Sequence, residues 1–325
     1  MPSKLIMRKL KRKVDPGEPR LKPMETPHNQ HGTQKKSGFA GSPGIELSQS
    51  EQMAPPKRTP LIGMSLKMYF TPAQTNQYLS SFVSISRAAN ALGVTTFLIP
   101  DFLSLAAACT ALVTTENQRY TTGVGAQDCF WEDSGAYTGE ISPWHLREIG
   151  VGYVEIGHAE RRRIFHESDD DVAKKAAAAA KHGLVPVVCI GEVDRNESDI
   201  DCAVQFSVKQ MAAAVRSVPV DSQVVFAYEP VWAIGQPAPA PTAYINAVCA
   251  GLRSYLDSDG RKNSARIIYG GSAGPGLFSE LYSGTIDGMF IGRFGHDPEN
   301  FEIIVREIAS KKFGEQNLGC IESKE

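Results

Sequence analysis

Residues 224–235 read V-V-F-A-Y-E-P-V-W-A-I-G, and this stretch combines a buried strand with a reactive side chain. The apolar run before Glu229 is typical of a parallel strand that is covered on both faces. Glu229 ends that run, and Pro230 begins a short apolar loop that finishes at Gly235. Such a loop can close over a small ligand and exclude water. The alternative is an ordinary strand end whose Trp232 only fills the core.

The same unit, an apolar run followed by a helix-like stretch, occurs eight times after Thr59. The runs begin near Leu61, Val94, Gly123, Gly152, Leu184, Val224, Arg266 and Ile286. The helix-like stretches are Thr71–Ala91, Ser104–Val113, Pro143–Glu148, Asp169–His182, Ser198–Ser217, Thr242–Leu256, Pro275–Leu281 and Pro298–Lys311. Eight such units in about 250 residues predict a single-domain α/β fold, the (β/α)8 or TIM barrel. An open doubly wound sheet is the alternative, but it normally has a glycine-rich fingerprint after its first strand, which G-M-S-L-K-M at 63–68 is not.

Charge is distributed unevenly along the 325 residues, although the formal net charge is only −2. Residues 1–58 contain twelve Lys or Arg against five Asp or Glu, whereas residues 59–325 contain 22 against 31. The first segment is poor in large apolar residues and rich in Lys, Pro, Gly, Ser and Gln, so it cannot bury a core. We therefore predict a disordered basic extension over residues 1–58 and a barrel domain over residues 59–325.

The basic run K-L-K-R-K at 9–13 leaves the role of this extension open. We interpret the segment as a solvated tail, or as an extension upstream of the true start. A mitochondrial presequence is the alternative, although Asp15 and Glu18 interrupt the acid-poor pattern of such sequences. A further interpretation has the segment tether an ordinary enzyme to nucleic acid or to an organelle.

Composition favours a cytoplasmic protein without a nucleic-acid partner. Hydrophobic residues make up 42% of the chain and charged residues 22%, which is ordinary for a soluble enzyme. No apolar run approaches the roughly 18 residues that a membrane span needs. The six cysteines are scattered without C-x-x-C spacing, so reduced thiols are the simplest interpretation.

The residues that follow the predicted strands suggest where chemistry takes place. Lys67 follows the first strand, His158 the fourth in G-H-A-E-R-R-R, and Glu229 the sixth. Glycine-containing turns follow the last two strands, Y-G-G-S at 269–272 and G-R-F-G at 292–295. In a (β/α)8 barrel the carboxyl ends of all strands meet at one face, and active sites lie there. We therefore expect a base, an imidazole and an ammonium group to converge on one cavity.

Together with G-A-Y-T-G-E-I-S-P at 135–143 and V-V-C-I-G-E at 187–192, these motifs resemble those of triosephosphate isomerases. The resemblance extends from Leu61 to the last helix. It implies an enzyme of glycolysis and gluconeogenesis that interconverts dihydroxyacetone phosphate and glyceraldehyde 3-phosphate. One proton moves through an enediolate, and neither a metal nor an organic cofactor is needed. The resemblance also implies a homodimer, with the loop around Tyr137 and Thr138 reaching the partner subunit.

By the same resemblance, Glu229 is the catalytic base and His158 polarises the carbonyl group. We expect His158 at the start of a short helix, Ala159–Ile164, where the helix dipole disfavours a charged imidazole. Lys67 places a positive charge beside the enediolate. The supporting residues are Glu160, which pairs with Lys67, together with Ser65 and Cys189. The residues implied in phosphate binding are Gly235, Ser272, Gly292 and Arg293.

The chain departs from the family pattern mainly around the substrate. Ser65 stands where the family has an asparagine, and Q-P-A-P at 236–239 replaces the usual end of the loop after Glu229. Arg293 occupies the position of a phosphate-binding glycine, where its guanidinium could bind phosphate or point to solvent. Asp128 replaces an asparagine, and Ala159 replaces a serine.

These departures leave Lys67, His158 and Glu229 in place. The combination S-L-K-M-Y-F, G-A-Q-D and G-R-F also resembles a sister group that isomerises erythrulose phosphates, from L-erythrulose 1-phosphate to D-erythrulose 4-phosphate, in tetritol breakdown. We therefore retain triose phosphate and tetrulose phosphate as alternative substrates. A non-catalytic sugar-phosphate-binding barrel is the alternative of another class, and it predicts the loss of these three groups.

Overall fold

The computed structural model describes residues 58–112, 122–195, 199–281 and 284–313. Eight parallel strands close into a barrel in chain order, and the last strand pairs with the first. The strands are β1 (Leu61–Ser65), β2 (Thr95–Ile99), β3 (Thr122–Ala126), β4 (Tyr153–Ile156), β5 (Val185–Ile190), β6 (Val224–Tyr228), β7 (Ala265–Tyr269) and β8 (Gly288–Ile291). The predicted (β/α)8 barrel is confirmed, and the open sheet is excluded.

Helices cover the outside of the barrel and connect its strands. They are α1 (Pro72–Ala91), α2 (Leu105–Leu112), α3 (Pro143–Glu148), α4 (Ala159–Phe165), α5 (Asp169–Lys181), α6 (Ile200–Val215), α7 (Thr242–Ser258), α8 (Leu277–Leu281) and α9 (Pro298–Phe313). Each predicted helix is present, with boundaries that differ by at most two residues. Val113 and Ser198, two of the predicted ends, lie outside the described residues.

Side-chain caps begin several helices where the sequence indicated a start. The Ser142 hydroxyl accepts a hydrogen bond from the His145 N–H at 3.3 Å, directly before Pro143. Thr71 and Ser168 form capping boxes at the starts of α1 and α5. Caps of this kind contribute about 1 kcal/mol each. They fix where each loop above the barrel ends and its helix begins.

Apolar side chains pack on both faces of the strands. Inside the barrel, Phe97 stacks on Tyr153 with ring centroids 4.6 Å apart. Gly63 is needed for this packing, because a Cβ at that position would overlap the Phe97 ring. Outside the barrel, a larger buried cluster lies between the strands and the helices. Burial on both faces explains why the strands appear in the sequence as nearly continuous apolar runs.

The expectation of a disordered extension concerns residues 1–58, which lie outside the described residues except for Arg58. At the amino-terminal end of the barrel, Arg58 Nε lies 3.1 Å from Asp287 Oδ1, and Arg253 Nη2 lies 2.5 Å from Asp287 Oδ2. The described part of the chain contains no helix with both the length and the apolar character needed to cross a bilayer.

Candidate active site

Glu229 directly follows β6, at the carboxyl end of the barrel. Its N–H donates to the Ile190 carbonyl at 2.8 Å, which fixes the backbone of Glu229 against β5. The residue is 6% exposed, and its Oε2 forms no hydrogen bond with any described residue. Burial raises the pKa of the carboxyl to about 7, although the charge of Lys67 opposes the shift. A buried carboxylate without a partner is available to take a proton from a ligand.

Two glycines make room for Glu229 because they have no side chain. A Cβ on Gly270 would overlap Oε1 of Glu229 and lie 2.7 Å from its Cγ. A Cβ on Gly191 would overlap the Glu229 carbonyl oxygen. Gly270 belongs to the Y-G-G-S turn after β7. The absence of a side chain at this position in the turn therefore leaves room for Glu229.

His158 lies at the N-terminus of α4, as the sequence predicted. Its Nδ1 accepts a hydrogen bond from the Glu160 N–H at 3.1 Å. A ring nitrogen that accepts carries no proton, so the neutral ring carries its proton on Nε2. Nε2 lies 3.5 Å from Oε2 of Glu229. Burial, together with the charge of Lys67, lowers the pKa of His158 to about 4, which keeps the ring neutral at physiological pH.

Lys67 lies two residues beyond the end of β1 and has a left-handed backbone, with φ of 49°. Its carbonyl accepts a hydrogen bond from Gln127 Nε2 at 2.7 Å, which holds this conformation in place. Its Nζ donates to Glu160 Oε1 at 2.8 Å, the pair that the resemblance implied. Burial lowers the pKa of Lys67, but Glu160, Glu229 and Glu155 outweigh it, and the net shift is upward. The ammonium group therefore stays charged beside the base.

A buried ionic cluster supports the loop that carries His158. Lys175 Nζ donates to both carboxylate oxygens of Asp128 at 2.8 Å and also to Glu167. Arg161 Nη2 lies 2.7 Å from Asp128 Oδ2. Glu167 Oε2 in turn accepts a hydrogen bond from the Gly157 N–H at 3.1 Å, one residue before His158. Asp128, the departure from asparagine, is thus one of two anions that are balanced by two cations.

The flap, residues 230–239, is anchored to the barrel by one carboxylate. It begins with a 3-10 turn at Val231–Ala233. Glu192 Oε1 accepts hydrogen bonds from Trp232 Nε1 and from the Tyr244 hydroxyl, each at 2.9 Å. The Tyr228 hydroxyl donates to Glu192 Oε2 at 3.1 Å. Trp232 is therefore more than core filler, since its indole fixes the start of the flap next to Glu229.

The flap also meets the loops after β7 and β8, where phosphate binding was expected. Ser272 has φ of 45°, and its hydroxyl oxygen lies 2.9 and 3.0 Å from the carbonyl oxygens of Ala233 and Gln236, which share its single hydrogen. Arg293 Nη2 lies 3.7 Å from the position that a Cβ on Gly235 would occupy. Arg293 follows Gly292 at the end of β8, and its exposed guanidinium forms no ion pair within the described ranges.

One cavity of about 980 Å³ brings these groups together at the carboxyl face of the barrel. Nine of the ten predicted site residues line it: Ser65, Lys67, His158, Glu160, Glu229, Gly235, Ser272, Gly292 and Arg293. Cys189 does not line this cavity; it is buried inside the barrel and borders a small void beneath Glu229. Burial raises the pKa of its thiol well above the usual range.

The sequence analysis missed Glu155, which lies in the middle of β4. Its Oε2 accepts a hydrogen bond from the Ser65 hydroxyl at 2.8 Å. The signal was present, because a carboxylate inside the apolar run G-Y-V-E-I-G is unusual for a strand buried on both faces. Also missed was His296, whose ring lies at the cavity beside Tyr69, with centroids 5.3 Å apart.

A family model described as triosephosphate isomerase matches residues 60–308, which include the whole barrel and most of its last helix. The chain belongs to the triosephosphate isomerase family. An L-erythrulose-1-phosphate isomerase of Pectobacterium atrosepticum is 44% identical over 255 residues, covering 76% of this chain and 94% of the relative. A triosephosphate isomerase of Thermoanaerobacter pseudethanolicus is 40% identical over 245 residues, 72% of this chain and 94% of the relative. Triosephosphate isomerase 2 of Listeria innocua is 36% identical over 260 residues, 78% of this chain and 99% of the relative.

Membership in this family identifies the chain as an isomerase. The non-catalytic binding barrel predicted the loss of Lys67, His158 and Glu229, and all three are present around the cavity. Similarity to relatives with two different names agrees with the two substrate classes that the sequence suggested.

Proposed function

We propose that this triosephosphate-isomerase-type enzyme moves one proton between neighbouring carbons of a short phosphorylated ketose. The observation that carries the proposal is the pairing of Glu229 and His158. An unpartnered carboxylate oxygen lies 3.5 Å from a neutral imidazole Nε2, at the wall of a cavity large enough for a sugar phosphate. A base and a hydrogen-bond donor at this separation can act on adjacent atoms of one substrate.

The proton path follows from these positions. Glu229 takes a proton from the carbon next to the carbonyl, and the electron pair moves to the carbonyl oxygen to form an enediolate. The Nε2–H of His158 donates to that oxygen and exchanges a proton between the two oxygens. Glu229 then returns its proton to the neighbouring carbon, which completes the isomerisation. Base catalysis of this kind contributes about 10²–10⁴-fold to the rate.

Lys67 and Arg293 supply positive charge to the rest of the substrate. The Lys67 ammonium stabilises the developing enediolate, because a fixed charge in a water-poor cavity interacts strongly. In this proposal the phosphate binds under the flap, where Gly235, Ser272 and Gly292 line the cavity and can offer backbone N–H groups. Arg293 adds a guanidinium beside Gly235, which suits a doubly charged phosphate.

The first candidate reaction is the interconversion of dihydroxyacetone phosphate and glyceraldehyde 3-phosphate, in glycolysis or gluconeogenesis. A second candidate, the conversion of L-erythrulose 1-phosphate to D-erythrulose 4-phosphate, is favoured by a specific observation. Ser65 lines the cavity where the family pattern has a longer asparagine, so this enzyme has room for a larger substrate. The 44% identity to the Pectobacterium atrosepticum enzyme supports the same candidate.

Turnover of both substrates by the purified full chain, compared in parallel, tests this function. We expect measurable isomerisation of one or both, and Glu229→Asp should lower kcat by about 100-fold or more because the shorter arm misplaces the base. Circular dichroism checks that the variant is folded. Absence of turnover on both substrates by the wild type, or a near-wild-type rate in the variant, would contradict the proposal.

We further propose that the enzyme is a homodimer in the cytoplasm. Large apolar side chains are exposed on loops at the carboxyl face, with Met68 at 92% and Leu103 at 84%. Tyr137, after β3, and Phe165, at the end of α4, are also exposed. Exposed apolar groups of this size are typical of a protein–protein interface. Five cysteines within the described ranges are free thiols, which supports a reducing compartment.

A further inference from the structure

A buried carboxyl group lies beneath the cavity and takes no part in the proton path described above. Glu155 is 3% exposed, and Tyr153, two residues earlier on β4, packs inside the barrel. Strand side chains alternate, so Glu155 also points into the barrel interior. An ionised carboxylate among apolar strands is costly, and a position like this is normally apolar. Its presence here therefore calls for a function.

The partner of Glu155 is a residue of the cavity wall. Ser65 lines the cavity, and its hydroxyl donates to Glu155 Oε2 at 2.8 Å. A hydroxyl has one hydrogen to donate and two lone pairs that accept. Because Glu155 takes the hydrogen of Ser65, the serine oxygen faces the cavity as an acceptor. Glu155 thus determines which kind of hydrogen bond Ser65 offers to a ligand.

The barrel order places Glu155 opposite the proposed phosphate end, whereas Ser65 lies on β1, which pairs with β8. Glu155 lies on β4, which is opposite β8 in the closed ring of eight strands. The loop after β8 carries Gly292 and Arg293, where the phosphate is proposed to bind. The Ser65 hydroxyl extends from β1 across the barrel interior to Glu155 on β4. A substrate group that extends from the phosphate toward β4 therefore meets the Ser65 hydroxyl.

Glu155 can occupy this place without adding charge. Burial raises its pKa to about 8; the Ser65 hydrogen bond and Lys67 oppose this shift, and the charge of Glu229 adds to it. At neutral pH the carboxyl is mainly uncharged, and with its proton on Oε1 it still accepts the Ser65 hydrogen bond at Oε2. It therefore adds little repulsion to a cavity in which an enediolate forms beside Glu229.

The two candidate substrates differ in the group that would reach this pair. In dihydroxyacetone phosphate the carbon that loses its proton is terminal. In L-erythrulose 1-phosphate the same carbon carries an additional hydroxymethyl group, whose O–H can donate a hydrogen bond. An acceptor on the side of the Ser65 hydroxyl that faces β4 would recognise that O–H, and a short serine leaves space for it.

We propose that Ser65 accepts a hydrogen bond from the terminal hydroxymethyl group of a four-carbon ketose phosphate, and that Glu155 is the positioning residue that holds Ser65 in this role. The inference rests on the proposed isomerase function and selects its substrate class. A site built to bind a hydroxyl discriminates strongly against the analogue that lacks it, because its polar groups are then left without partners.

The test compares kcat/KM for L-erythrulose 1-phosphate and for dihydroxyacetone phosphate in wild type, Ser65→Ala, Glu155→Leu and Glu155→Gln. Wild type should prefer the four-carbon substrate. Ser65→Ala and Glu155→Leu should lower the ratio of the two efficiencies by about tenfold or more, because one hydrogen bond specific to that substrate is lost. Glu155→Gln keeps an acceptor oxygen and should retain most of the preference.

A matched control lies outside the cavity. Ser86 accepts a hydrogen bond from Thr96 Oγ1 at 2.9 Å in a buried pair, so Ser86→Ala removes a similar contact without altering the cavity wall. The ratio of the two kcat/KM values in Ser86→Ala should equal that of wild type. Calorimetry can compare the affinity for erythritol 4-phosphate with that for glycerol 3-phosphate, which repeats the comparison without turnover. If Glu155→Leu does not fold, Ser65→Ala alone decides the question.

Equal losses on both substrates in Ser65→Ala and Glu155→Leu would overturn the inference, because a structural role affects both reactions alike. An unchanged ratio would overturn it as well. A wild type that converts the triose phosphate alone would overturn the substrate class and leave the isomerase function standing. A wild type that converts neither would overturn the proposed function itself.

Discussion

Glu229 and Glu155 are two buried carboxyl groups of one barrel, and their immediate neighbours give them different roles. Burial raises both pKa values, to about 7 and about 8. Glu155 is hydrogen-bonded to Ser65, whereas Oε2 of Glu229 has no hydrogen-bond partner among the described residues. Glu229 also lies 3.5 Å from a ring nitrogen of His158. The free Oε2, rather than burial alone, is the reason that Glu229 is proposed as the base.

The raised pKa of Glu229 predicts the pH dependence of the enzyme. The base works when ionised, so kcat/KM should fall about tenfold per pH unit as the pH drops below about 7. His158 has a pKa lowered to about 4 and stays neutral throughout this range, so it should add no second step. Initial rates between pH 5 and 9 measure the profile, and the ionisation of the substrate phosphate is determined separately by phosphorus NMR. A profile that stays flat down to pH 5 would contradict this environment for Glu229.

At the scale of elements, the loop between β4 and α4 depends on the buried cluster beneath it. Lys175 pairs with both Asp128 and Glu167, and Glu167 accepts a hydrogen bond from the Gly157 N–H. Lys175→Met would leave two buried carboxylates with Arg161 as their remaining cation. We expect a loss of about 3 kcal/mol in the free energy of unfolding, measured with urea, because a broken buried pair leaves an uncompensated charge.

The neighbouring residue provides the control for this prediction. Lys174 is on the same helix, but its side chain is 51% exposed. Lys174→Met should change the unfolding free energy by less than about 1 kcal/mol, since exposed ion pairs contribute little. Similar effects of the two substitutions would show that the cluster does not support this loop.

The flap and the turn after β8 form the second element-scale unit. Arg293 lies beside Gly235 and replaces a glycine of the family pattern. Arg293→Ala should raise KM for the phosphorylated substrate about tenfold or more and change kcat less, because a charge-assisted contact to phosphate is lost in both ground and transition states. Inhibition by inorganic phosphate should weaken in parallel. An unchanged KM would mean that the guanidinium points to solvent.

The helices and strands could be predicted because their signals are local. Ser142 before Pro143 marked the start of α3, and the apolar run before Glu229 marked β6. The bond between Ser65 and Glu155 could not be predicted in this way, since 90 residues separate them and barrel closure brings them together. The left-handed backbone of Lys67 likewise depends on Gln127, a residue of another loop. The resemblance supplied the remaining site residues, except for Glu155 and His296.

At the scale of the whole molecule, the exposed apolar loops at the carboxyl face predict a dimer. Sedimentation should show a species of twice the chain mass for the wild type. Met68→Glu should shift it toward the monomer, because it places a charge in the interface. Val220 is another exposed apolar residue, on the loop before β6 at the opposite end of the barrel, so Val220→Glu is the control. A monomeric wild type would contradict the proposed dimer.

The central claim is that Glu229 transfers a proton between neighbouring carbons of the substrate. The most direct measurement is proton NMR of the substrate during turnover in D₂O, with wild type and with Glu229→Gln, which preserves the shape of the side chain without its basicity. We predict that the wild type incorporates deuterium at the carbon next to the carbonyl and that the variant does not. Wild-type isomerisation without any deuterium incorporation, or undiminished exchange in Glu229→Gln, would contradict the account.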